Sequence, residues 1–147
     1  PETLPAREVG RLEVALPMER LFTSDAERKG AFVHYELRDA RTKALITELT
    51  DYAARTKELR LPRTKAGDFT LKTSRRAGTL FIDIQSKTLL KDAYIDLGET
   101  GWQLSDNFLD ILPGRRYRLR ATRRQNAPAR TMTALPSVTL RSITTAE

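Results

Sequence analysis

Carboxylates are the side chains of this sequence with the most chemistry on offer, since a poised pair can serve as general acid and as base or nucleophile. Their positions argue for other work. Glu13, Glu36 and Glu48 fall on outward positions of predicted strands, Asp39 sits in a predicted turn, and Asp106 and Asp110 belong to a short motif at 105–114. Asp106, between Ser105 and Asn107, reads as a local backbone acceptor, because short polar side chains in such runs fold back onto neighbouring amides. His34 is the only histidine, so a metal site built from several imidazoles is excluded, and its outward strand position marks it as surface. The chain has no cysteine, which removes disulfides and thiolate metal sites. The segment Gly98 to Gly101 (GETG) lacks the Lys-Ser/Thr and the helix of a phosphate loop, and no G-x-S-x-G elbow accompanies the single histidine. These residues yield no catalytic group, no cofactor site and no metal ligand. Trp102 is the one candidate for binding. An indole exposed beside Tyr94 would stack on a sugar ring, whereas the competing reading has Trp102 capping a sandwich core or packing on a neighbouring domain.

The formal net charge of +7 raises a nucleic-acid question. Basic residues are densest at Arg115, Arg116, Arg118, Arg120, Arg123 and Arg124. Arg116, Arg118 and Arg120 alternate with Tyr117, Leu119 and Ala121, as the wet face of a half-buried strand does. A phosphate-tracking stripe would interleave aromatic platforms, and none is present here, so nucleic acid is not the expected partner. No apolar run approaches the roughly 20 residues of a membrane span, and no signal-peptide pattern opens the chain. The start at Pro1 suggests a piece of something longer.

The elements that would position these groups are short strands. Arg11 to Leu16 alternates, with Leu12, Val14 and Leu16 on one face. Met18 to Gly30 is predicted to hold one helical turn, with Ser24 as a possible cap. Phe32 to Arg38 places Val33, Tyr35 and Leu37 inward and His34, Glu36 and Arg38 outward. A hairpin-length loop at Asp39 to Lys43 leads to a returning strand from Ala44 to Leu49. Thr50 to Lys57 is ambiguous between helix and strand, and the extended path is preferred because Pro62 forces its predecessor out of the helical region. Further strands follow at Asp68 to Thr73, Thr79 to Ser86, Leu89 to Leu97, Tyr117 to Arg123 and Val138 to Ile143. Ser74 to Gly78 is a basic turn, Gly98 to Gly101 another, and Gln125 to Arg130 a loop. Leu80, Ile82 and Ile84 face a core, as do Ala93, Ile95 and Leu97. Frequent turns and no long helix argue for an all-β sandwich.

The motif SDNFLDILPG, Ser105 to Gly114, joins two of these strands. Ser105, Asp106 and Asn107 set polar turns; Phe108, Leu109, Ile111 and Leu112 form an apolar plug; Pro113 and Gly114 end it in a tight turn. It is a sandwich corner. Together with Lys91-Asp92-Ala93-Tyr94-Ile95 it resembles the C-terminal immunoglobulin-like domain of β-mannosidases of glycoside hydrolase family 2, where "SDNFFDLLPGE" stands in this place. Leu109, Ile111 and Arg115 are mild departures. Glu58 to Arg63 (ELRLPR) is similar to the joint that opens that domain, and the hairpin near residue 40 is similar to one ending the preceding sandwich, without its glycine. The resemblance covers roughly residues 58–122 well.

The resemblance implies an immunoglobulin-like β-sandwich at 59–147, with 1–58 forming the last strands of a preceding sandwich domain or an N-terminal extension. It implies a parent hydrolase that removes terminal β-D-mannose by a retaining mechanism, with both catalytic glutamates on a barrel domain that this chain does not contain. The chain is then expected to be non-catalytic, with no cofactor, and to pack on the preceding domains of the same polypeptide. A bacterial glycan-degrading parent suggests a periplasmic or secreted location. The rival readings are a free-standing carbohydrate-binding module, a basic nucleic-acid-binding β domain and a generic adhesion or spacer domain.

Overall fold

The computed structural model describes residues 18–98, 101–124 and 135–145. The strand expected at Arg11 to Leu16, the loop at 125–130 and the middle of the 98–101 turn lie outside the described residues. The chain divides into two compact units, one up to Leu61 and one from Pro62 onward.

In the first unit, helices α1 (Met18–Leu21) and α2 (Asp25–Gly30) precede an antiparallel hairpin of β1 (Phe32–Arg38) and β2 (Leu45–Tyr52). Ser24 caps α2: its Oγ accepts from the Glu27 amide at 3.1 Å, and Glu27 returns the contact to the Ser24 amide at 3.2 Å. The hairpin turns without glycine because Asp39 does the work of one. Its Oδ1 accepts from the amides of Arg41 and Thr42 at 3.0 and 2.6 Å, and Lys43 takes the left-handed position at φ 59°. The extended path favoured after Thr50 holds to Tyr52, and a 3₁₀ turn at Thr56–Glu58 follows. The inward assignment of Val33, Tyr35 and Leu37 does not hold as burial. Tyr35 is 37% exposed, Leu37 53% and Leu49 64%, and no described residue of this unit is fully buried. The alternation is present, but two strands cannot cover their own apolar face.

The second unit is an immunoglobulin-like β-sandwich whose described residues form seven strands: β3 (Phe69–Arg76), β4 (Thr79–Ser86), β5 (Leu90–Asp96), β6 (Trp102–Leu104), β7 (Leu109–Ile111), β8 (Arg116–Arg123) and β9 (Thr139–Arg141). One sheet runs β3-β4-β8-β6 and the other β7-β5-β9, with every neighbouring pair antiparallel. Leu80, Ile82, Ile84, Ala93, Ile95 and Leu97 are all in the core, joined by Trp102, Ile111, Leu119 and Ala121. The basic turn predicted at Ser74 to Gly78 shrinks to Ala77-Gly78, with φ 47° and 78°, because β3 stays paired with β4 out to Arg76. Positive φ at both central residues suits a two-residue hairpin between twisted strands. In β5 the buried set passes from Leu90 to Ala93, an odd step that strict alternation forbids. A register shift between these residues, with Asp92 at φ 50°, absorbs the extra residue.

Candidate functional site

The 105–114 corner passes from β6 in one sheet to β7 in the other, and its polar side chains tie it to both. The Ser105 amide donates to the Arg120 carbonyl at 2.7 Å, and Ser105 Oγ accepts from the Arg120 amide at 3.1 Å, which anchors the corner to β8. Asn107 anchors it to β5. Its Oδ1 accepts from the Ile95 amide at 2.7 Å while its Nδ2 donates to the Ile95 carbonyl at 3.1 Å, so a side-chain amide copies the two bonds of a paired strand residue. Asp110 Oδ1 accepts from the Asp92 amide at 2.9 Å, which holds the left-handed residue of the β5 irregularity. Asp106 accepts from the Asn107 amide at 2.8 Å, the backbone role expected of it. At the far end Gly114, at φ 74°, donates its amide to the Ser86 carbonyl at 2.7 Å, beside the bridge between Pro113 and Ser86.

Phe108 corrects the sequence reading. Expected in the plug, it is 66% exposed, because its backbone sits at φ 58° immediately after an Asn107 pinned to β5, which turns the ring outward. The ring lies 5.1 Å from that of Tyr94, itself 38% exposed. Ile111 and Leu112 do enter the interior. Trp102 also departs from one of its two readings. It is 7% exposed and belongs to the core of the other sheet, with the Arg123 guanidinium 5.4 Å over its ring, so it offers no open face beside Tyr94. The outward aromatic pair is Tyr94 with Phe108.

One structural residue went unnoticed in the sequence. The Tyr117 hydroxyl accepts from the Leu112 amide at 3.2 Å, clamping the start of β8 to the chain five residues upstream. This is the arrangement called a tyrosine corner in immunoglobulin-like sandwiches. The available signal was a tyrosine at an inward strand position three residues after a Pro-Gly turn.

Part of the arginine-rich stretch is engaged locally. Arg118 makes a two-pronged contact with Asp83 at 2.7 and 3.0 Å and lies over Phe81, and Arg115 lies over Tyr117. The Arg118 guanidinium holds the Asp83 carboxyl below its ordinary range. A groove of about 1000 Å³ along the edge of the sandwich is lined by Arg63, Phe69, Leu140, Arg141, Ser142 and Ile143 among others, with no carboxylate among the described residues that line it. Its described lining is cationic, hydroxylic and apolar. In the hairpin, His34 is more than a surface residue: its side chain is 18% exposed, and Glu36 and Glu48 lie 3.6 and 3.4 Å from its Nε2.

Residues 61–146 match the mannosidase Ig-fold domain. Among solved structures, a β-D-mannosidase from Dictyoglomus thermophilum superposes with a TM-score of 0.57 at 18% identity, over 78% of this chain. The chain spans 13% of the length of that enzyme. No curated protein matches the chain.

Proposed function

This chain belongs to the mannosidase Ig-fold domain family, and from that premise we propose that it is the non-catalytic C-terminal region of a β-mannosidase-like glycoside hydrolase of family 2. The parent enzyme would hydrolyse terminal β-D-mannosides on another domain, and this region would pack against the preceding domains and stabilise them. The observation that carries the reading is the family match over the sandwich whose signature corner spends its polar groups on backbone: Ser105 on β8, Asn107 on β5, Asp110 on Asp92.

Two surfaces support a packing role. In the hairpin unit, Tyr35, Leu37 and Leu49 are exposed on the face that alternation marks as apolar, where the other strands of a preceding sandwich would lie. In the sandwich unit, the outward Tyr94–Phe108 pair is the kind of aromatic patch that domain contacts use. The purified 147-residue protein is expected to show no turnover of an aryl β-mannoside; measurable turnover would refute the non-catalytic assignment. In the full-length enzyme, Tyr94→Ser with Phe108→Ser should lower the melting temperature while leaving that of the isolated chain unchanged. Equal effects on both would remove the docking role, and glycan binding by the isolated chain, lost in Tyr94→Ser, would favour the carbohydrate-module reading instead.

A further inference from the structure

We propose that His34, Glu36 and Glu48 form a binding site for a single borderline divalent transition ion, of which Zn²⁺ is the type. The three donors come from adjacent cross-strand pairs on one face of the hairpin: Glu36 is directly opposite Glu48, and His34 opposite Thr50. Glu36 and Glu48 face each other across the strand pair, a like-charge arrangement that costs stability unless positive charge lies beside it; Arg38, bonded to Glu36, supplies some, and an ion between the donors would supply more. One donor atom from each residue falls within a sphere where all lie within 4.8 Å of one another. His34 Nε2 stands 3.4 Å from Glu48 Oε2 and 3.6 Å from Glu36 Oε1. Tetrahedral zinc with ligands at about 2.1 Å needs donor separations of about 3.4 Å.

The surroundings prepare the donors. His34 Nδ1 lies 3.2 Å from Thr50 Oγ1, and a proton donated there leaves the Nε2 lone pair aimed at the carboxylates. Arg38 Nε donates to Glu36 Oε2 at 2.7 Å, and Glu36 Oε1 is the oxygen that faces His34. One imidazole and two carboxylates suit zinc better than magnesium, which prefers near-octahedral oxygen and retained water. The site would clasp β1 to β2, where a two-stranded hairpin most needs a cross-link. The inference is independent of the mannosidase reading.

The test is a zinc titration of the full 147-residue chain by calorimetry, in a buffer that does not bind zinc, with ¹⁵N NMR of the imidazole as a second readout. His34 is the only histidine, so its resonances need no disentangling. Expected are saturation at one equivalent, a large Nε2 shift on zinc addition, and no competition from magnesium. His34→Ala and Glu48→Gln should each weaken binding by more than tenfold, and Thr50→Val by about tenfold. A flat titration, an unmoved Nε2 resonance, or binding that survives both His34→Ala and Glu48→Gln overturns the proposal. Should a variant fail to fold, the Nε2 shift of the unaltered chain decides.

Discussion

The hairpin unit and the sandwich unit carry the same local pattern and come to opposite ends. Val33, Tyr35 and Leu37 alternate along β1 as faithfully as Leu80, Ile82 and Ile84 do along β4. Yet the β4 residues are wholly buried, while Tyr35 and Leu37 stand exposed among the described residues. The difference is the second sheet. β4 faces β5 and β7 across an interior that both sheets fill, whereas the described residues of the hairpin unit form a single two-stranded sheet. Alternation states which face prefers to be covered; a second layer is what covers it.

The sharpest way to break this comparison is to truncate matched positions. Ile82→Ala should cost the isolated chain about 2–5 kcal/mol in chemical denaturation, while Leu49→Ala, at an exposed site, should stay within about 0.5 kcal/mol. Equal losses would mean that the hairpin face is buried after all. Next is Asn107→Ala, which strips both partners from Ile95 and leaves its backbone groups unmatched; about 2–3 kcal/mol of lost stability is expected by the same assay. Tyr117→Phe removes the acceptor for the Leu112 amide and should cost about 1 kcal/mol. A neutral result would show that the tyrosine corner contributes packing alone.

The smallest expected effect is electrostatic. The folded-state pKa of Asp83 is lowered chiefly by its hydrogen bonds to Arg118 and further by that residue's charge. Its contribution is therefore present above the ordinary carboxylate range and lost as pH falls through the lowered value. Because the pair is solvent-exposed, Asp83→Asn should reduce stability by at most about 1 kcal/mol at neutral pH, with the difference vanishing in acid. A melting-temperature series against pH for both proteins checks the sign.

Much of the sandwich could be read in advance from the chain. The strands at Phe32 to Arg38 and Thr79 to Ser86, the capping role of Ser24, the core faces of β4 and β5 and the corner at 105–114 follow from alternation, turn residues and a ten-residue signature. The candidate sites were less legible. Phe108 was expected inside because it is large and apolar, yet a positive φ at its own position turned it out; nothing in a phenylalanine announces that. Trp102 and Tyr94 are near in sequence but belong to different sheets, so proximity along the chain misled. Tyr117 was recognisable as inward, but its hydroxyl bond depends on where the Leu112 amide comes to rest. His34 was judged alone, as the single histidine. The two glutamates that make it interesting reach it through strand register.

What the amino-acid order settled unaided is the period-2 writing of its strands, the places where the chain must turn, and the absence of thiol chemistry. These are properties of a backbone pleat, of proline, glycine and short polar side chains, and of composition, each decided within a few neighbouring residues. Tertiary structure alone decided which apolar faces found a partner, where Asp92 and Phe108 flip to positive φ, and that Asn107 pairs with Ile95 and His34 with Glu36 and Glu48. Those outcomes join segments through the register of paired strands and the closure of two sheets, and a one-residue slip in either would undo them while leaving every local preference intact.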